Sequence, residues 1–164
     1  MGARGGKAPW DSHTAEWAAQ NGHLHILEYL VKRKFDNYNE DACECAAIGG
    51  HLECLKYLRE VKAPWDCWTA AGAARNGHLH ILEYLVERKY DKYDEVPCRW
   101  AAMNGHLDCL KYLRETAKAP WDYWAVRGVH KNNHADCVQY LLDNNCPLPH
   151  GWRYEHGELH VPDH

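Results

Sequence analysis

The chain writes one phrase five times. Asn76 to Lys89 reads NGHLHILEYLVERK, and Asn21 to Lys34 is the same apart from Lys32 in place of Glu87. Gly49 to Arg59 (GGHLECLKYLR) and Asn104 to Arg114 (NGHLDCLKYLR) are looser copies, and Asn132 to Leu142 (NNHADCVQYLL) is the most degraded. The histidines of the phrase, His23, His51, His78, His106 and His134, are spaced 28, 27, 28 and 28 residues apart. A fixed period of this length describes a stack of small units, each unable to bury its apolar face alone and all sharing one continuous core.

Within each unit the pattern predicts two helices. An aromatic residue followed by Asp or Asn recurs as Trp10-Asp11, Tyr38-Asn39, Trp65-Asp66, Tyr93-Asp94 and Trp121-Asp122. Asp and Asn are strong N-caps, because the side-chain oxygen takes an orphan N–H of the first turn. Pro9, Pro64 and Pro120 just before the aromatic favour an extended approach. The first helix then runs through Ala18-Ala19, Ala46-Ala47, Ala73-Ala74 or Ala101-Ala102, pairs small enough for a neighbouring helix to come close. It ends at Gly22, Gly50, Gly77, Gly105 or Asn133, residues that tolerate the left-handed C-cap conformation. The expected first helices are 11–20, 39–48, 66–75, 94–103 and 122–131.

After each histidine the apolar residues fall at helical spacing; in the third copy they are Leu79, Ile81, Leu82 and Leu85. The expected second helices are 23–33, 51–60, 78–88, 106–115 and 134–143. Basic residues gather at their ends (Lys32, Arg33 and Lys34; Arg88 and Lys89), where they complement the helix dipole. The fold class is therefore all-α, a helix-turn-helix solenoid of about five repeats, 7–34, 35–62, 63–90, 91–118 and 119–146, followed by a partial cap or flexible tail over 147–164.

The phrase AAxNGHLxxLxYL resembles the ankyrin repeat, whose first helix carries Ala-Ala, then Gly-His, then a Leu-rich second helix. The resemblance covers residues 7 to about 146. Two departures matter. The period is 27–28 rather than about 33 residues, so the β-hairpin finger between repeats must shrink to a turn, and the Thr-Pro-Leu-His opening is replaced by Trp-Asp. This short variant looks like the ankyrin arrays of large DNA viruses, oomycetes and algae. The resemblance implies a protein-binding scaffold without catalysis, and a turn histidine that hydrogen-bonds backbone groups.

A second order lies over the first. Repeats 1 and 3 match each other better than either matches repeat 2 or 4, so the duplicated unit spans 55 residues. Repeat 5 degrades, with Val129-His130 for Ala-Ala, Asn133 for Gly and Ala135 for Leu, as a terminal repeat facing water would. After Cys146 the run PLPHGWRYEHGELHVPDH has no helical period. Cys146-Pro147 fits the start of a partial sixth unit, and beyond about Gly151 the chain is expected to pack loosely.

Several function classes fall away. A formal charge of −4 is not that of a general phosphate-binding surface, so nucleic acid is not an expected partner. No apolar run approaches the roughly 20 residues that span a bilayer, and the opening MGARGGKAPW lacks a signal peptide's apolar core, so no membrane is expected. His-x-x-Cys occurs at His51/Cys54, His106/Cys109 and His134/Cys137. A zinc site needs four converging ligands, and repeats 1 and 3 keep the histidine but carry Ile26 and Ile81 at the cysteine position. Cysteine there behaves as a small hydrophobe. No cofactor or metal is expected, and the eight cysteines are read as free thiols of an intracellular protein. A nucleophilic thiol would need a depressed pKa and a positioned base, and no phosphate-binding or nucleophile-elbow motif is present.

What varies is the exposed face of the first helix. In the ankyrin frame the residue six before the histidine points into a concave groove; here it is Trp17, Cys45, Gly72, Trp100 or Gly128. Ten before it stand His13, Asp41, Trp68, Val96 and Trp124, and three before it Gln20, Ile48, Arg75, Met103 and Lys131, with Arg99 and Arg127 bordering the surface. Trp, Met and Arg are enriched at interface hot spots. The expected protein-binding set is Trp17, Trp68, Trp100, Trp124, Ile48, Met103, Arg75, Arg99 and Arg127. The competing reading packs Trp17 and Trp100 against the neighbouring repeat. A monomeric, non-catalytic interaction scaffold is the expectation, with a self-assembling structural module as the alternative and metal binding a distant third.

Overall fold

The structure is a computed structural model and describes residues 10–162. Ten helices alternate along it: α1 (Ser12–Gln20), α2 (Leu24–Lys32), α3 (Glu40–Gly49), α4 (Leu52–Glu60), α5 (Cys67–Arg75), α6 (Leu79–Glu87), α7 (Val96–Met103), α8 (Leu107–Glu115), α9 (Tyr123–Lys131) and α10 (Ala135–Asp143). A short antiparallel hairpin follows, β1 (Arg153–Glu155) with β2 (Glu158–His160), pairing Tyr154 with Leu159. Odd-numbered helices stack on one another as one layer, and each is backed by its even-numbered partner. The five helix pairs are those the repeat predicts, and among the described residues no finger strands interrupt them.

The alanine pairs decide the spacing of the first layer. Ala18, Ala19, Ala46, Ala47, Ala73, Ala74, Ala101 and Ala102 are all fully buried where consecutive odd helices meet. On the second helices Leu30, Leu58, Leu85, Leu113 and Leu141 lie buried at one repeating position, seven after the histidine. The thiols of Cys54, Cys109 and Cys137 occupy the same core position as Ile81, which is fully buried.

Capping explains where the first helices start. Asp11 Oδ1 accepts from Thr14 N at 3.2 Å, and Thr14 Oγ1 returns the favour to Asp11 N at 3.3 Å. Asp66 and Asp122 accept from Trp68 N and Trp124 N at 3.0 and 3.1 Å. Asn39 departs from this pattern: its amide donates to Glu16 Oε1 at 3.0 Å and it caps nothing. Asp94 accepts from Val96 N at 3.0 Å, but α7 begins only at Val96, with Pro97 in its first turn.

The ends of the first helices are tied to the next repeat. Gly22, Gly50, Gly77 and Gly105 have φ between +72° and +74°, and the following histidine N–H closes back onto Ala18, Ala46, Ala73 or Ala101 O at 2.8–2.9 Å. The glycine has a second reason as well. A Cβ on Gly22, Gly50, Gly77 or Gly105 would sit 2.6–2.7 Å from Nδ1 of His51, His78, His106 or His134, the histidine one repeat further on. Asn133 takes the same left-handed turn at φ 58° with a side chain in place of the glycine hydrogen.

The tail differs from the loose packing expected beyond Gly151. Leu148, Trp152, Tyr154 and Leu159 pack against the core of repeat 5, and Trp152 meets the His130 ring edge-on at 5.2 Å. Alternation in a two-stranded hairpin puts Tyr154 and Leu159 on one face. A three-residue strand is too short to be separated from a loop by period alone.

Candidate functional site

Three of the four tryptophans predicted to bind are open to solvent: Trp17 is 54% exposed, Trp68 47% and Trp124 42%. Arg75 and Arg127 are exposed, while Trp100, Ile48 and Met103 are half-buried. The large exposed apolar side chains concentrate on the odd helices, with Trp17, Trp68, Tyr123 and Trp124 there and only Tyr29 on a second helix. That layer is the face on which an apolar partner surface could be met.

A positional rule governs its floor. The residue three before the histidine of one repeat lies over the residue six before the histidine of the next. A Cβ on Gly72 would meet Ile48 Cγ1 at 2.8 Å, and one on Gly128 would meet Met103 Sδ at 2.8 Å. Between them Arg75 places its guanidinium over the Trp100 ring, 4.7 Å from the centroid. Bulky aliphatic covers glycine and a flat cation covers a flat ring. Ile48, Met103 and Trp100 therefore spend part of their surface on the neighbouring repeat. Trp17 leans on its own His23 at 5.0 Å, and Arg127 lies over Trp124 at 5.2 Å.

A second rule links the residue seven before one histidine to the aromatic-Asp cap of the next repeat. Arg99 Nη2 donates to Asp122 Oδ2 at 2.7 Å where repeat 4 meets repeat 5, and where repeat 1 meets repeat 2 Asn39 donates to Glu16. Arg99, expected at the border of the surface, is thus engaged with the next repeat. In repeat 2 the same pairing sets Glu44 beside Asp66, and burial, helped by the Asp66 charge, raises the Glu44 carboxyl above its usual range.

The repeat histidines answer to backbone. His78 Nε2 donates to Ile48 O at 3.0 Å and His106 Nε2 to Arg75 O at 3.1 Å; His80 adds a bond to Gly50 O at 2.9 Å. Burial holds the His78 imidazole below its ordinary pKa. Among the described residues no three His, Cys, Asp or Glu side chains converge to hold a metal ion. All eight cysteines are free thiols. Burial pushes Cys43, Cys98 and Cys146 up to about 12 and Cys109, Cys137 and Cys45 to about 11, the opposite of what a nucleophile needs. Among the described residues no helix is long and apolar enough to cross a membrane.

The alternation of junctions was missed by the groove reading, although the 55-residue duplication was its signal. Where an odd repeat meets an even one, Phe35 stacks edge-on with Tyr38 at 5.0 Å and Tyr90 with Tyr93 at 4.8 Å. Where an even repeat meets an odd one, Arg59 lies over Trp65 at 4.1 Å and Arg114 over Trp121 at 4.5 Å. The same arginines donate to the carbonyls of Ala63 and Ala119.

Paired helices, buried Ala-Ala contacts and a Gly-His ladder between units define an ankyrin-type repeat protein. The family profile for ankyrin repeats in many copies matches residues 15–59, 43–86, 70–114 and 98–142, and the chain belongs to that family. Among solved structures it is similar to the ankyrin repeat domain of human ASB11, with 21% identity and a TM-score of 0.62 over 85% of this chain and 70% of that one. That likeness concerns the fold. No curated protein matches the sequence significantly.

Proposed function

We propose that the chain is a non-catalytic scaffold that binds a protein partner through the concave face of its first helices. In this reading 7–146 is the array and 147–164 a partial cap or tail, of which 7–9 and 163–164 lie outside the described residues. The observation that carries this reading is the exposure of Trp17, Trp68 and Trp124 on one helical layer, since large aromatics left open to water mark surfaces that something covers. Trp100 under Arg75, and Arg127 over Trp124, supply directional contacts beside the apolar anchors, which favours a partner carrying carboxylates or phosphorylated side chains. Ile48 and Met103 line the floor between them. Arg99 supports the surface by holding Asp122.

The protein acts as an intracellular monomer in this reading. Eight free thiols fit a reducing compartment, and the hairpin covers apolar surface of the last repeat that end-to-end association would use. Sedimentation equilibrium should return one mass at all concentrations; a mass that climbs with concentration would favour self-assembly. A photo-reactive residue at Gln20, at the groove, should cross-link a partner captured from the native host, whereas one at exposed Glu83 on α6 should not. Equal cross-linking from both would remove the groove from the account.

A further inference from the structure

The last junction lacks a member that the preceding one has. Arg99 of repeat 4 grips Asp122, the residue after the aromatic of the next unit, at 2.7 Å. One unit later, counting from Ala119-Pro120-Trp121-Asp122, the tail reads Cys146-Pro147-Leu148-Pro149. Leu148 stands for the aromatic and Pro149 for the acid, so Arg127, the counterpart of Arg99, meets a proline. A hairpin also fills less of the end face than a helix would. What is left is a cleft of about 770 Å³ between α9 and the tail, lined by Arg127, Lys131 and His130 on one side and by Pro149, His150 and Trp152 on the other.

The lining is one-sided in charge. Among the described residues it carries two permanent cations and two imidazoles with no acidic side chain, in a chain whose net charge is −4. Trp124 lies beneath the Arg127 guanidinium at 5.2 Å and restricts its orientation, and the His130–Trp152 contact fixes an aromatic wall beside it. The geometry points to a second binding site, on the end of the array, that takes an acidic peptide segment. One carboxylate of that segment sits on Arg127 as Asp122 sits on Arg99, and an adjacent apolar residue lies against Trp152 and Pro149. A guanidinium presents parallel donors that suit a carboxylate, and Lys131 adds long-range attraction for its acidic neighbours. The inference shares Arg127 and Trp124 with the groove reading but uses neither Trp17 nor Trp68, so a variant at Trp68 tells the two sites apart.

The test is a titration of the full chain with the capped peptide acetyl-Glu-Asp-Leu-Asp-Glu-amide, followed by NMR at the Arg127 side chain and the Trp152 indole. Both signals should shift saturably. The amide counterpart acetyl-Gln-Asn-Leu-Asn-Gln-amide should leave them in place. Arg127→Gln, at an exposed position, should keep the unfolding midpoint and weaken binding roughly tenfold or more, the scale of one charge-assisted hydrogen bond. Arg127→Lys should fall between, and Trp68→Ala should leave this titration unchanged. Absence of a saturable shift, equal response to the amide peptide, or undiminished binding by Arg127→Gln would each overturn the assignment. Binding that emerges only after Asp163→Asn would give the cleft to the chain's own end and overturn it too.

Discussion

The His106 ring lies so close to Gly77 that a Cβ there would stand 2.7 Å from Nδ1. The contact repeats at every internal junction and links the turn in one unit to the residue that precedes the second helix of the next. Gly77→Ala should therefore suffer twice, from a left-handed φ of +74° and from the ring. The first effect alone is about 1–2 kcal/mol. Chemical denaturation should show a loss beyond that figure, and His106→Ala in the same chain should recover part of it. Asn133→Ala, where a Cβ already stands at φ 58°, should lose less than Gly77→Ala.

Stability should also report the two kinds of junction. A double-mutant cycle of Arg59→Ala with Trp65→Leu should return a coupling of about 0.5–2 kcal/mol, as a stacked cation on an indole does. Phe35→Leu with Tyr38→Leu should couple through edge-on stacking by about 0.5–1.5 kcal/mol. Crossing the partners, Arg59 with Tyr38, should give no coupling.

Much of this was legible in the chain before its shape was known. The spacing of Ala73-Ala74, Gly77, His78 and Leu82 locates both helices of a unit, because each residue type has a physical reason to stand there. The tail was not legible, since Tyr154 and Leu159 alternate over too few residues to be told from a loop. The groove was read in outline only. Position alone marks Trp68 and Trp124 as open, but that Trp100 is covered by Arg75, or that Arg99 is held by Asp122, depends on which residue the next repeat offers. Such pairings across units are invisible until the register between repeats is fixed.

The tail gives a sharp contrast with the core. Leu82→Ala, in the central unit and fully buried, should lower stability by about 2–5 kcal/mol. Trp152→Ala should destabilise repeat 5 measurably but less, since Trp152 is only half-buried against a terminal unit. Hydrogen exchange should show its effect confined to α9 and α10, as expected where each repeat feels only its neighbours. A uniform loss of protection through α1 would contradict that local coupling.

Acid should weaken the array through His78. Its imidazole is held below the ordinary value of 6.5, chiefly by burial, so the unfolded chain takes up a proton more readily than the folded one. That share of stability is complete above about pH 6.5 and is lost as pH falls through that value toward the folded-state pKa. NMR titration of the ring should give a midpoint under 6.5. His78→Gln should flatten the fall in unfolding free energy between pH 7.5 and 5.5.

The central claim is that the open tryptophans of the first helices serve a partner and not the core. It is tested most directly by calorimetric affinity of the captured partner for the chain and for the Trp68→Ala/Trp124→Ala variant, with circular dichroism recorded on both. The account predicts an unchanged helical signal and unfolding midpoint, with each ring removing about 2 kcal/mol or more of binding, about thirtyfold apiece. A variant that unfolds early, or one that binds as tightly as the parent, would contradict it.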